Sequence, residues 1–96
     1  MNQKMNRWVD DLTPPPTPTF TDKQGQYLAF IWAYAQINRR SPAERDLQDY
    51  FRVTAPSVHQ MVLTLEKAGL IRRTPGQARS IELCVDPRAL PVLGLP

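Results

Sequence analysis

One stretch of this sequence, Thr54–Gly69, carries signals for both of its ends and constrains the fold more than any other. Thr54 is a typical N-cap residue, Pro56 suits a first turn in which a backbone amide needs no partner, and Gly69 favours the left-handed conformation that closes a helix. Between these ends, apolar residues recur at helical spacing at Val58, Val62 and Leu65. The stretch therefore predicts an amphipathic helix with one buried stripe.

The other face of this helix is polar and rich in hydrogen-bonding groups. Such a face is usually a solvated surface, but here a short apolar run at Leu70–Ile71 leads into two arginines and a turn that carries a third. A polar helix beside a basic hairpin is typical of proteins that bind nucleic acid. The candidates for contact on the helix are Ser57, His59, Gln60 and Thr64, and those on the hairpin are Arg72, Arg73, Gln77 and Arg79.

A first helix is predicted over Thr21–Asn38, where Thr21 and Gln24 have the spacing of a capping box. Apolar and aromatic residues surround most of its circumference, which predicts burial on more than one side. The second contact could come from the N-terminal arm, the C-terminal tail or another subunit. Its aromatic residues include Tyr27, Phe30, Trp32 and Tyr34.

A second helix is predicted over Ser41–Phe51, with Ser41 as the N-cap, Pro42 in the first position and Glu44 completing a capping box. Only Arg52–Val53 separates it from the helix that begins after Thr54. Two short helices joined by such a tight connection predict a helix-turn-helix.

Two strands are predicted at Leu70–Arg73 and Ser80–Val85, joined by a turn at Thr74–Gln77. A helix, a helix-turn-helix and a two-stranded wing follow one another in the order of a winged helix. We therefore expect an α+β, mainly α fold over residues 21–85. A proline-rich arm over residues 1–20 precedes it, and an irregular, docked tail over residues 86–96 follows it.

Length and composition exclude several classes of function. The 96 residues suit one domain, and the net charge of +3 suggests a polyanionic partner. The single cysteine, Cys84, excludes an internal disulfide, and with a single histidine it leaves too few ligands for a zinc site. No motif supports an enzyme, a cofactor or a small-molecule ligand. The sequence also lacks a membrane-length apolar run and a signal peptide, so cytoplasmic residence is expected.

The stretch Ser57–Leu83 resembles the recognition helix and wing of the N-terminal DNA-binding domain of LexA-type repressors, in their Gram-positive form. The segment Gly69–Arg73 with its following turn is the most specific part of this resemblance. The matching residues also include Val58-His59, Leu65-Glu66, Pro75, Arg79 and Ile81-Glu82, and upstream, without a gap, Gln24, Phe30-Ile31, Pro42 and Arg45-Asp46-Leu47.

Departures from the family limit what the resemblance implies. LexA-type repressors continue into a self-cleaving peptidase domain. This sequence ends before any such domain, so self-cleavage and a DNA-damage role are not expected to transfer. The helix end explains the one Ala-Gly pair, Ala68-Gly69. Thr64 stands where the family has an arginine, Leu63 where it has a small residue, and Trp32 where it has a lysine. A different target sequence is therefore expected.

The resulting hypothesis is a sequence-specific, double-stranded DNA-binding transcriptional regulator, more often a repressor than an activator at this size. The helix Thr54–Gly69 would read the major groove, and the wing Arg72–Arg79 would contact phosphates or the minor groove. Arg40 and Arg45 are second-rank phosphate contacts. A homodimer is expected through Trp32 and Tyr34 of the first helix with the arm or tail. The alternative is a winged-helix protein–protein interaction module in a larger assembly.

Overall fold

The helices and strands follow one another in the predicted order. A computed structural model describes residues 19–94, so residues 1–18 of the proline-rich arm and the last two residues of the tail lie outside the described part. Within it, the α+β, mainly α winged-helix fold is confirmed. Its elements are α1 (Asp22–Asn38), α2 (Glu44–Phe51), α3 (Ala55–Lys67), β1 (Ile71–Arg72) and β2 (Glu82–Leu83), followed by one 3-10 turn at Pro87–Ala89. The division into arm, domain and tail stays a prediction.

The predicted ends of α1 and α3 are confirmed by their caps. The Thr21 side chain accepts a hydrogen bond from the Gln24 amide at 3.1 Å, and the Gln24 side chain accepts one from the Thr21 amide at 2.9 Å. The Thr54 side chain caps the start of α3. At its other end, Gly69 has a φ of 77°, and the next amide bonds back to the carbonyl of Leu65 at 3.0 Å. These local signals were sufficient because cap and partner are close in sequence.

The predicted start of α2 is wrong. The helix begins at Glu44 rather than after Ser41, and its N-cap is Ala43, which has no side chain that can accept a hydrogen bond. The carboxylate of Asp46, not that of Glu44, reaches back to accept a hydrogen bond from the Ala43 amide at 2.8 Å. The Glu44 carboxylate lies against α3 and the hairpin instead. The capping pair is therefore Ala43 with Asp46 rather than the predicted Ser41 with Glu44.

The strands are shorter than predicted, with two residues each. Ile71 pairs with Leu83 and Arg72 with Glu82 in an antiparallel register. Beyond these pairs, the Ser80 hydroxyl accepts a hydrogen bond from the Thr74 amide at 2.9 Å and donates one to the Thr74 carbonyl at 3.2 Å. The turn itself is confirmed, with a bond from the Gln77 amide to the Thr74 carbonyl at 3.1 Å.

The core forms where all three helices meet the inner face of the hairpin. The predicted stripe of α3 is fully buried, together with Leu28 of α1 and Leu47 of α2. Aromatic rings join α1 to α2, since Tyr27 stacks on Phe51 with ring centroids 4.3 Å apart. This packing fixes the orientation of α3 and turns its polar face away from the core.

Residues 91–94 of the tail lie against α1. The Gln26 side chain of α1 donates to the Val92 carbonyl at 2.9 Å and accepts from the Gly94 amide at 2.7 Å. A Cβ atom on Gly25 would lie 3.0 Å from both Phe20 and Pro91, so this glycine allows the close approach. The tail therefore covers part of the apolar surface of α1. Among the described helices, none is long and apolar enough to cross a membrane.

Candidate nucleic-acid interface

The four candidate side chains of α3 all lie on its exposed face, which we call the reading face (Ser57, His59, Gln60 and Thr64). The opposite stripe, Val58, Val62 and Leu65, has no exposed surface. The sequence pattern predicted this division because buried and exposed residues of a helix follow its 3.6-residue period.

Three of the four side chains already have hydrogen-bond partners. Ser57 accepts a bond from the Thr54 hydroxyl at 3.0 Å, and the Thr64 hydroxyl donates to the Gln60 carbonyl at 2.9 Å. His59 contacts the Glu44 carboxylate. The Gln60 side chain makes no hydrogen bond within residues 19–94, so its amide keeps both donor and acceptor available to a ligand.

Glu44 connects the reading face with the hairpin. Its Oε2 atom lies 3.3 Å from Nδ1 of His59 and 3.7 Å from Nη1 of Arg73. Arg73 in turn bonds Glu66 near the end of α3, with Nη2 3.1 Å from Oε1. Because His59 and Arg73 contact the same oxygen atom, helix and hairpin present side chains to one continuous surface.

Arg72 is the most exposed of the three hairpin arginines. Its side chain is 72% exposed and its Nε donates to Glu82 across the strand pair at 2.8 Å. The hydrogen bond from Arg72 to Glu82 raises the pKa of Arg72, a group that is charged at any physiological pH in any case. An exposed pair of this kind contributes little stability, so Arg72 can exchange its carboxylate for another anion at little cost.

Arg79 is placed differently from the other wing arginines. Its Nη1 contacts the Asp46 carboxylate at 2.9 Å, the Tyr34 hydroxyl at 3.1 Å and the Ser41 carbonyl at 3.3 Å. These contacts tie the hairpin to α1 and α2. Arg79 itself has a left-handed φ of 54°, a conformation that such contacts help to hold.

The second-rank candidates lie on the surface. Arg45, on the first turn of α2, is exposed and pairs with Asp49 at 3.2 Å. Arg40, between α1 and α2, and Gln77, at the hairpin turn, are also exposed. All three are accessible to a large ligand.

The sequence interpretation missed the acidic partners of the hairpin arginines. Each of these arginines contacts at least one carboxylate, so the hairpin is less positive than its sequence suggests. Glu82 could have been found from the hairpin register, which sets it opposite Arg72. The other partners depend on contacts between separate elements and left no sequence signal. The carboxylates concerned are Glu44, Asp46, Glu66 and Glu82.

Asp46 should stabilise the fold in a pH-dependent way. Partial burial opposes its ionisation, but the hydrogen bonds from Ala43 and Arg79, the charge of Arg79 and the Tyr34 hydroxyl outweigh burial and lower its pKa. Since the folded state has the lower pKa, its stabilisation is present above the unfolded pKa and is lost as pH falls through the folded one. We expect Asp46→Ala to cost about 1 kcal/mol at neutral pH, and the cost to shrink below about pH 4.

Urea unfolding of both proteins across this pH range would measure the effect. Asp49→Ala is the matched control, because Asp49 lies on the same helix but is mostly exposed and pairs only with Arg45. Its cost should stay within about 0.5 kcal/mol. An Asp46 effect that does not change with pH would contradict the assignment.

A helix-turn-helix followed by a two-stranded antiparallel hairpin defines the winged helix-turn-helix class of proteins. A family model described as the LexA DNA binding domain matches residues 18–80. The chain belongs to the LexA DNA-binding domain family, so the resemblance inferred from the sequence is confirmed.

Related sequences agree with this membership. The chain is 42% identical over 76 residues to a LexA repressor of Thermosipho africanus, a match covering 77% of this chain and 38% of the relative. It is 44% identical over 63 residues to a LexA repressor of Thermosipho melanesiensis, covering 66% and 32%. A LexA repressor of Leptospira interrogans is 36% identical over 83 residues, covering 77% and 41%. The matches thus span less than half of each relative.

Proposed function

We propose that this chain is a sequence-specific double-stranded DNA-binding module of a transcriptional repressor. The observation that carries the proposal is the exposed polar face of α3, whose His59 contacts the same Glu44 carboxylate as Arg73 of the hairpin. The family membership supports a regulator rather than an enzyme, and the relatives are named repressors. A chromosomal target would also agree with the expected cytoplasmic residence.

In the proposed mode, α3 lies in the major groove and its reading face contacts base edges. Gln60 would pair with adenine through both atoms of its free amide, the pairing that suits glutamine. Ser57 and His59 would each add a single hydrogen bond. The methyl group of Thr64 remains available for a thymine methyl, because its hydroxyl is bonded to the helix backbone.

The hairpin would hold the phosphate backbone or enter the minor groove. Arg72 is the principal candidate because its guanidinium is exposed, and Gln77 would add a contact at the turn. Arg73 and Arg79 remain candidates, although each would have to share its guanidinium between a carboxylate and a phosphate. Arg40 and Arg45 would contact the backbone beside the start of α2.

Selection from random duplexes, followed by salt titration of the winning sequence, tests the proposal. Counterion release predicts that affinity falls about 100-fold between about 50 and 200 mM salt if one domain neutralises about four phosphates. An affinity that barely responds to salt, or the absence of a selected sequence, would instead favour the protein–protein module. The exposed Trp32 and Leu63 are the surface that such a partner would contact.

A homodimer is proposed because one winged helix contacts few base pairs. Tyr34 bonds Arg79 within the chain, which leaves Trp32, 40% exposed beside the docked tail, as the main aromatic group for a second copy. We expect a dimer in sedimentation equilibrium at micromolar concentration, weakened by Trp32→Glu. Ile37→Glu, an equally apolar-to-acidic change at another exposed site of α1, is the control. A purely monomeric wild type would contradict the proposal.

A further inference from the structure

The carboxylate of Glu44 contacts His59 of the reading face symmetrically. The Nδ1 atom of His59 lies 3.3 Å from both Oε1 and Oε2 of Glu44. An ionised carboxylate can only accept hydrogen bonds, so Nδ1 must carry the hydrogen in this contact. The arrangement therefore selects one of the two neutral forms of the imidazole ring.

The selected form determines what His59 offers to a ligand. When Nδ1 donates to Glu44, the neutral ring leaves Nε2 unprotonated, and this atom can only accept a hydrogen bond. The His59 side chain is 54% exposed, so the ring is accessible from solvent despite the contact. His59 therefore presents Nε2 on the reading face as a hydrogen-bond acceptor.

Glu44 is itself held in place by charged neighbours. Arg73 lies between Glu44 and Glu66, 3.7 Å and 3.1 Å away respectively, and its side chain is only 27% exposed. The contacts therefore run from the His59 imidazole to the Glu44 carboxylate, then to the Arg73 guanidinium and to the Glu66 carboxylate. Because these contacts restrict the Glu44 and His59 side chains before binding, little conformational entropy is lost when His59 binds a ligand.

We propose that Glu44 is a positioning residue that fixes the His59 ring, and that it thereby sets the base preference at one position of the DNA site. This inference rests on the proposed function. In the major groove, adenine N6 and cytosine N4 carry donor hydrogens, whereas guanine O6 and N7 and thymine O4 are acceptors. An accepting Nε2 therefore favours adenine or cytosine at the facing base and disfavours guanine or thymine.

The position can be found with the full 96-residue chain and its selected duplex. Affinities for all four bases at each position are measured at about pH 8.5, where an imidazole is ordinarily neutral. At one position, His59→Ala should lower the ratio of affinities for the preferred and the disfavoured bases about tenfold, the usual effect of losing one direct contact. Glu44→Ala should remove a similar factor at the same position, and the double variant should lose no more than either single variant.

Glu44→Gln is the conservative rescue, because an amide oxygen can still accept from Nδ1 at the same side-chain length. It should keep the base preference that Glu44→Ala loses. Gln60→Ala is the control on the same helix: it should alter a different base pair and combine additively with Glu44→Ala.

A second measurement does not depend on DNA. His59 is the only histidine of the chain, so nitrogen-15 NMR of the imidazole is unambiguous. We expect the Nδ1-protonated form in the wild type and in Glu44→Gln, and a shift toward the other form in Glu44→Ala. The NMR spectrum can be interpreted even if a variant binds DNA poorly.

Several outcomes would overturn the inference while leaving the proposed function intact. These are an unchanged base preference in Glu44→Ala, an equal loss of affinity on every duplex, a Glu44→Gln variant that behaves like Glu44→Ala, or an Nε2-protonated ring in the wild type. A wild-type chain that selects no duplex would instead reject the proposed function, whatever the NMR result.

Discussion

Replacing Leu65 with alanine should lower the free energy of unfolding by about 2–5 kcal/mol, whereas the same replacement at Leu63 should cost less than about 1 kcal/mol. Both residues lie on α3, two positions apart. Leu65 has no exposed surface and packs in the core, while Leu63 is 36% exposed. A small domain has only about 5–15 kcal/mol of stability, so the Leu65 variant should lose a large share of it.

Urea unfolding followed by far-UV circular dichroism would measure both costs, with an unchanged m-value showing that only stability has changed. Since the two variants remove the same atoms from the same helix, propensity differences cancel. If both variants lowered the free energy of unfolding equally, α3 would not be oriented as described. Its polar face would then not be available to contact DNA.

The second large effect concerns DNA. Arg72→Glu should weaken binding to every duplex about tenfold or more. It should also reduce the slope of log affinity against log salt concentration by about one unit. The reason is that an exposed guanidinium contacting a phosphate releases a counterion but reads no base. Glu82→Gln should act in the opposite direction, because it removes the carboxylate that now pairs with Arg72. Fluorescence anisotropy at several salt concentrations would measure both variants.

Arg88→Glu is the matched control for this experiment. Arg88 is also an exposed arginine paired with a carboxylate, Asp86 at 2.8 Å, but it lies on the tail rather than on the hairpin. The two variants change the net charge equally, so any difference in their affinities for DNA depends on where the arginine lies. If Arg88→Glu weakened binding as much as Arg72→Glu, a general charge effect would account for both and the hairpin would have no special role.

Much of the fold could be predicted because its signals are local. Thr21 with Gln24, and Thr54 with Gly69, define helix ends through atoms only a few residues apart. The buried stripe of α3 follows from helical periodicity alone. The predicted start of α2 is wrong because two pairs have capping spacing, and the pair that caps the helix is Ala43 with Asp46 rather than Ser41 with Glu44.

The candidate site was predicted less completely than the fold. The sequence indicated which residues lie on the reading face, and all four are exposed. The sequence analysis treated the three hairpin arginines alike. In the structure, the Arg72 side chain is exposed, whereas Arg79 connects the hairpin to α1 and α2 through hydrogen bonds. Nothing within the hairpin sequence distinguishes these two roles.

By itself, then, the sequence determined the order of the elements, the two faces of α3, the turn of the hairpin and the family. Tertiary structure alone decided that Glu44 contacts His59 and Arg73, that Glu66 contacts Arg73, and that Asp46 contacts Arg79. The physical reason is range. Backbone capping and helical period act between residues a few positions apart, but an ion pair joins any two opposite charges that folding brings within about 4 Å.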